Sequence, residues 1–234
     1  AALIHLFMHY TQIFCVMIVV AIVGPRLVSE DLRSRALALY LARPITRIDY
    51  VVGKLAVVCF WVGTVTLLPA LVLYALSIVF SPSLETMTQT IGVVPRLVAV
   101  SLLLMIGTGA PMLALSSLAP NPRFLAFLWA GAWVFSSVVS RVLSTALFPG
   151  TREGDWTGLT SVSANFDAVA LRLFDTEHLL RPSAELSPRL ARTLDRLSHG
   201  HDWTWSLALI LAISVLSLMV VASRVGRPGE AGSR

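Results

Sequence analysis

Charge is scarce in this chain: acidic and basic residues make up 13% of its 234 residues, against 56% apolar. With a mean hydropathy of +0.78, that is more apolar side chain than one soluble core of this length can bury, so lipid must solvate the excess. Cysteine is nearly lacking. Cys15 and Cys59 both sit inside apolar runs, where a thiol behaves as a small hydrophobe, and no disulfide framework follows. Lys54 is the only lysine, every other basic residue being arginine. A pI near 9.9 would suit nucleic acid, but the basic residues lie between apolar runs instead of clustering with aromatics in a polar domain. That is the pattern of membrane flanks, and nucleic acid is not expected as a partner. No GxxxxGK[ST] phosphate loop occurs, so these residues are not expected to hydrolyse ATP on their own. An initiator methionine and a signal peptide are also lacking, and a preceding segment is expected.

What is present are five stretches long enough to cross a bilayer: residues 3–23, 51–80, 93–118, 124–147 and 203–222. They are continuous, not alternating, which predicts an all-α membrane bundle of about five visible spans. Orientation follows from charge. Placing 24–54, the turn near Arg123 and the tail after Arg224 on one side gives ten basic against four acidic residues there, a net of about +6. The other side has eight basic against nine acidic, a net of about −1. The first side is therefore expected to be cytoplasmic, with the C-terminus on it, and an odd number of spans then implies a sixth, earlier helix. We expect one transmembrane domain over 1–234, with a cytoplasmic segment at 24–50, an external region at 149–202 and a cytoplasmic tail at 224–234.

The external region reads as two short amphipathic helices. One covers about 164–175, with Phe166, Val169, Ala170 and Leu173 on one face; the other is opened by Ser187 and Pro188 and closed by Gly200. Such faces are expected to lie on the bundle or on lipid.

The run from Ser29 to Lys54 is too charged to span and too apolar for a solvated loop. Residues 28–41 lack proline and glycine and read as a helix. At about 100° per residue, Val28, Leu32, Ala36 and Leu39 share one side, while Leu37 and Leu41 fall on the other beside Glu30 and Arg33. A helix apolar on two flanks fits between the bundle and a second protein. Arg43 and Pro44 end it, because a residue before proline avoids helical angles. Thr46 and Asp49 have the spacing of a capping box, with Ile45 and Tyr50 placed as a hydrophobic staple. A second helix is thereby launched into the membrane, with Lys54 expected to reach back to the headgroups.

The order of Glu30 through Lys54, with Pro44, Arg47, Gly53 and Lys54 at its marked positions, resembles the segment after the second membrane helix of ABC-2-type permeases. The later helix spacing and the Arg-Pro tail after the last span resemble them too. The resemblance implies a six-helix permease subunit of an ATP-binding-cassette transporter in a cell (inner) membrane, multi-pass, paired with a second permease protomer. It implies that Ser29, Glu30, Asp31, Leu32, Arg33, Arg35, Ala36, Leu39, Arg43, Pro44 and Arg47 couple to a dimeric ABC ATPase. Thr46, Asp49, Gly53 and Lys54 would form the elbow and inner anchor. ATP and Mg²⁺ would be bound by that ATPase, with no cofactor, metal or catalytic residue in this chain, and the work would be substrate export or conformational change. The alternative is a non-transporting scaffold whose external helices dock a partner protein; in a third variant a permease works with an external partner of that kind.

Other polar residues have plainer readings. His5 and His9 share a face with Gln12, but no cysteine or carboxylate joins them, so interfacial placement is preferred to metal binding. His199 and His201 suit a helix end. Ser136, Ser140 and Ser144, with Ser137 beside them, form a small-residue stripe that reads as a packing or dimer face before a polar pathway. Arg141 is expected to snorkel. Pro69, Gly107, Gly109 and Pro111 soften their spans.

Overall fold

Apolar helices in lipid gain nothing from hiding grease, so their packing depends on close backbone approach and on hydrogen bonds between helices. The computed structural model describes residues 12–34, 46–79, 92–148, 155–174 and 202–225. In chain order they form α1 (Ile13–Arg33), α2 (Arg47–Val79), α3 (Val93–Leu118), α4 (Pro122–Leu147), a 3₁₀ turn (Trp156–Thr160), α5 (Val162–Phe174) and α6 (Trp203–Val225). Five of these, all but the 3₁₀ turn and α5, are long and apolar enough to cross a membrane. The protein is an all-α, multi-pass membrane bundle. Among the described residues there is no strand.

α3 is the hub. Inside the protein, 61% of its span is buried, against 17% to 33% for the other four. Its sequence explains this, since Ser101, Thr108, Gly109, Ala110, Ala114, Ser116 and Ser117 let neighbours approach from every side. Gly107 shows how tight the fit is: a methyl group there would lie 2.8 Å from Ile210 of α6 and 2.9 Å from the ring of Phe166 of α5.

Two expectations about the chain's path are corrected. The first span was expected at 3–23, with a separate helix from Val28. Instead a single helix passes through Gly24 and Pro25 and ends at Arg33. The carbonyl of Pro25 accepts from two hydroxyls, those of Ser29 and Ser116. Residues 1–11 lie outside the described residues, and so does 35–45, the rest of the expected coupling helix.

The second correction is one of depth. The helix expected over about 164–175, external and with its apolar face on the bundle or on lipid, does lay that face on the bundle as α5, and reaches well along α3 and α4. Phe166 is stacked on Trp133 at 6.3 Å and 8°, and Phe166 and Val169 are buried. Trp133 lies fourteen residues from the end of α4 and Gly107 fourteen from the start of α3, a depth of about 21 Å along each helix. The amphipathic stripe was read correctly; its face meets other helices deep in the bundle. The second external helix, expected over 187–200, lies outside the described residues.

The serine stripe of α4 holds this re-entrant segment. Ser144 donates to Asp155 Oδ2 at 2.7 Å, Ser140 to the carbonyl of Thr157 at 2.9 Å, and Ser136 accepts from the amide of Val162 at 3.3 Å. Ser137 lies within 3.5 Å of the hydroxyls of Ser161 and Ser163. The stripe is a packing face within one chain. Arg96, near the start of α3, donates to the carbonyl of Phe174 at 3.4 Å, which ties the far end of α5 back to the end of the bundle from which the segment enters.

Replacing Gly107 with alanine should lower stability by about 1–3 kcal/mol through overpacking, despite alanine's better helix propensity. Gly53→Ala should be neutral or stabilising, because nothing lies within 4 Å of the added methyl. Thermal unfolding of the two variants in lipid nanodiscs compares them; equal midpoints would refute the packing account.

Candidate functional site

The end of the bundle that carries Arg26, Arg33 and Arg123 gathers the close of α1, the start of α2, the close of α3 and the start of α4. Each terminus there has its own local chemistry. At α2 the expected capping box forms: the Thr46 amide donates to Asp49 Oδ2 at 3.0 Å, and the Asp49 amide to Thr46 Oγ1 at 3.2 Å. The two side chains also meet directly, at 2.6 Å. Two amides that helix geometry leaves orphaned are thus satisfied by one pair of side chains. At α4, Asn121 Oδ1 accepts from the amides of Arg123 and Phe124 at 3.2 and 3.5 Å, and Pro122 fills the first helical position. α3 and α4 are joined by only three residues, Ala119 to Asn121.

α1 and α2 are clasped by Asp31. Its Oδ2 lies 2.7 Å from Lys54 Nζ and accepts the Tyr50 hydroxyl at 2.7 Å. Lys54 Nζ also sits 5.5 Å from the centre of the Tyr50 ring. Both charged side chains are mostly covered, 22% exposed for Lys54 and 14% for Asp31. Each charge therefore has a partner where water is limited, the condition under which an ion pair holds position. Lys54 was expected to snorkel to lipid headgroups. Its amine lies on Asp31 of the neighbouring helix.

The remaining candidate residues divide by exposure. Ser29 is fully buried, its hydroxyl on the carbonyl of Pro25 and its amide on Ser116 Oγ at 3.1 Å. It faces the bundle. Glu30 and Arg33 are exposed on the last turns of α1, and the Glu30 carbonyl accepts the Ser34 amide and hydroxyl at 2.9 and 2.8 Å. Leu32 and Arg47 lie on α1 and α2. Gly53 opens on empty space. Arg35, Ala36, Leu39, Arg43 and Pro44 lie outside the described residues, as do Ile45, His5 and His9.

Sequence reading missed three residues here. Asn121 was signalled by the Asn-Pro pair before an apolar run. Tyr50 was assigned to a staple, and nothing local shows that its hydroxyl reaches Asp31. Ser116 carries no signal at all, since its partners are 87 to 91 residues away.

Residues 2–223 match the family described as ABC-2 family transporter protein. No curated protein and no solved structure matches the chain.

A double-mutant cycle on Asp31→Ala and Lys54→Ala should return a coupling energy of about 1–3 kcal/mol in chemical unfolding. Thr46→Ala should cost about 1 kcal/mol and be additive with either change, because the side-chain bonds it removes are made with Asp49 and not with Asp31 or Lys54. Additive Asp31 and Lys54 losses would mean that the two side chains do not act as a pair.

Proposed function

We propose, of a chain that belongs to the ABC-2 transporter family, that this permease subunit is the part through which a separate ATPase does work on the membrane. The observation that carries the reading is the Asp31 clasp. Residues 35–45 connect the two helices that the clasp joins. A force applied to that connection reaches α1 and α2 together and is not spent on separating them. Glu30 and Arg33 point away from the bundle beside it, available to a protein partner.

On this reading the basic end is cytoplasmic, in accord with the excess of arginine in its short connections. The ATPase dimer docks there and holds ATP and Mg²⁺ in its own residues. A second permease protomer completes the pathway, substrate is exported, and the C-terminus after α6 lies on the ATPase side of a cell (inner) membrane. The re-entrant α5, wedged from the opposite end between α3, α4 and α6, blocks the single protomer's interior from that side. Transport then occurs between protomers.

Co-expression with its ATPase tests the reading. The wild-type chain should retain the ATPase through purification, whereas Leu32→Asp with Leu39→Asp should lose it and keep the same thermal midpoint. Retention of the ATPase by the double variant would place its docking surface elsewhere.

A further inference from the structure

Pro25 has no N–H, so the Ala21 carbonyl one turn earlier lacks its helical donor, and α1 has a weak point inside its span. Directly below it, a side chain from another helix enters the backbone. Ser116 Oγ of α3 accepts from the amides of Val28 at 3.2 Å and Ser29 at 3.1 Å, and donates to the carbonyl of Pro25 at 2.8 Å. A hydroxyl has one proton and two lone pairs, and here all three are used. Val28, Ser29 and Ser116 are all buried, so no water competes. A side chain inserted into the i→i−4 ladder is one of the few identifiable causes of helix bending.

α1 is held differently above and below that point. Above it, Gly24 is seated directly on Met112 of α3; a methyl group at Gly24 would lie 2.3 Å from Met112 Cγ. Below it, Asp31 is bound to Tyr50 and Lys54 of α2. Close to the proline, therefore, the turn above is seated on α3 and the last turns are bound to α2.

We infer that Ser116 is the positioning residue of a hinge in α1. Val28 to Arg33 and the start of α2 move as one body about the Pro25–Ser29 turn, while the helix above stays seated on α3. When the body swings, the amides of Val28 and Ser29 part from Ser116 Oγ and keep the carbonyls of Gly24 and Pro25 as acceptors within their own helix. The freed Ser116 hydroxyl can then bond a carbonyl one turn back in α3. The driver of the swing rests on the coupling reading above; the hinge itself does not.

Spin labels on the full chain in nanodiscs, with Cys15 and Cys59 replaced by alanine, test this. One pair, at Arg33 and Ile48, lies within the proposed body; the other, at Arg33 and Leu118, spans the hinge. All three sites are exposed. In the permease alone, Ser116→Ala should turn the Arg33–Leu118 distance from one narrow peak into a broad distribution and leave Arg33–Ile48 unchanged. Ser116→Thr, which keeps the hydroxyl, should restore the narrow peak. Broadening of both pairs, of neither, or a failure of threonine to restore would each overturn the hinge. With the ATPase bound, ATP should shift Arg33–Leu118 and leave Arg33–Ile48 fixed, and a shift in both would overturn the single moving body. Should no ATPase associate, the coupling reading fails, and the permease-alone measurement still decides the hinge.

Discussion

A backbone amide or carbonyl left without a partner in hydrocarbon costs several kcal/mol, and no solvent is present to repair it. The rest of this bundle is arranged around that constraint. α3 answers it with small residues that let neighbours come close and with Ser116, whose hydroxyl bonds three backbone groups of α1. Gln12 applies the same logic, donating across to the Thr66 carbonyl on α2 at 2.5 Å. The serines of α4 apply it again along the irregular segment from Asp155 to Val162, whose backbone and Asp155 carboxylate they bond.

The two ends of the bundle answer to different forces. At the basic end, charge and capping fix the helix termini through Asp31, Lys54, Thr46, Asp49 and Asn121. The interior near Phe166 is held by shape, with Trp133 on one side of its ring and Gly107 on another. Directional contacts thus sit where a partner would push, and dense packing sits where the chain must stay closed. On the function proposed above, work would enter at the basic end.

Much of this was legible in the sequence. The third span was read as 93–118 and is found at those residues, because continuous apolarity and length alone decide it. The Thr46–Asp49 box was read from spacing and forms as read, since both partners lie within one turn. Errors arose where the deciding partner is distant in the chain. Gly24-Pro25 looks like an exit from the membrane until Ser116 is brought to the turn that follows it. The depth of the Phe166 stripe does not show until Trp133 and Gly107 are brought to it. The stripe of serines showed that something packs there but could not show whether it came from the same chain. Local chemistry is written in neighbouring residues, and its tertiary partners are not.

α2 is 33 residues long, about 50 Å as a straight helix against a hydrocarbon thickness of about 30 Å. Its first two turns carry Arg47, Asp49 and Lys54 and belong to the polar end, which leaves 25 residues from Leu55 to Val79, about 37 Å, to cross the hydrocarbon. That length calls for a pronounced lean, within the range of membrane helices, or for a bend, and Pro69, ten residues before its end, supplies a place for one. The lean of α2 is therefore tied to bilayer thickness at one end and to Asp31 at the other.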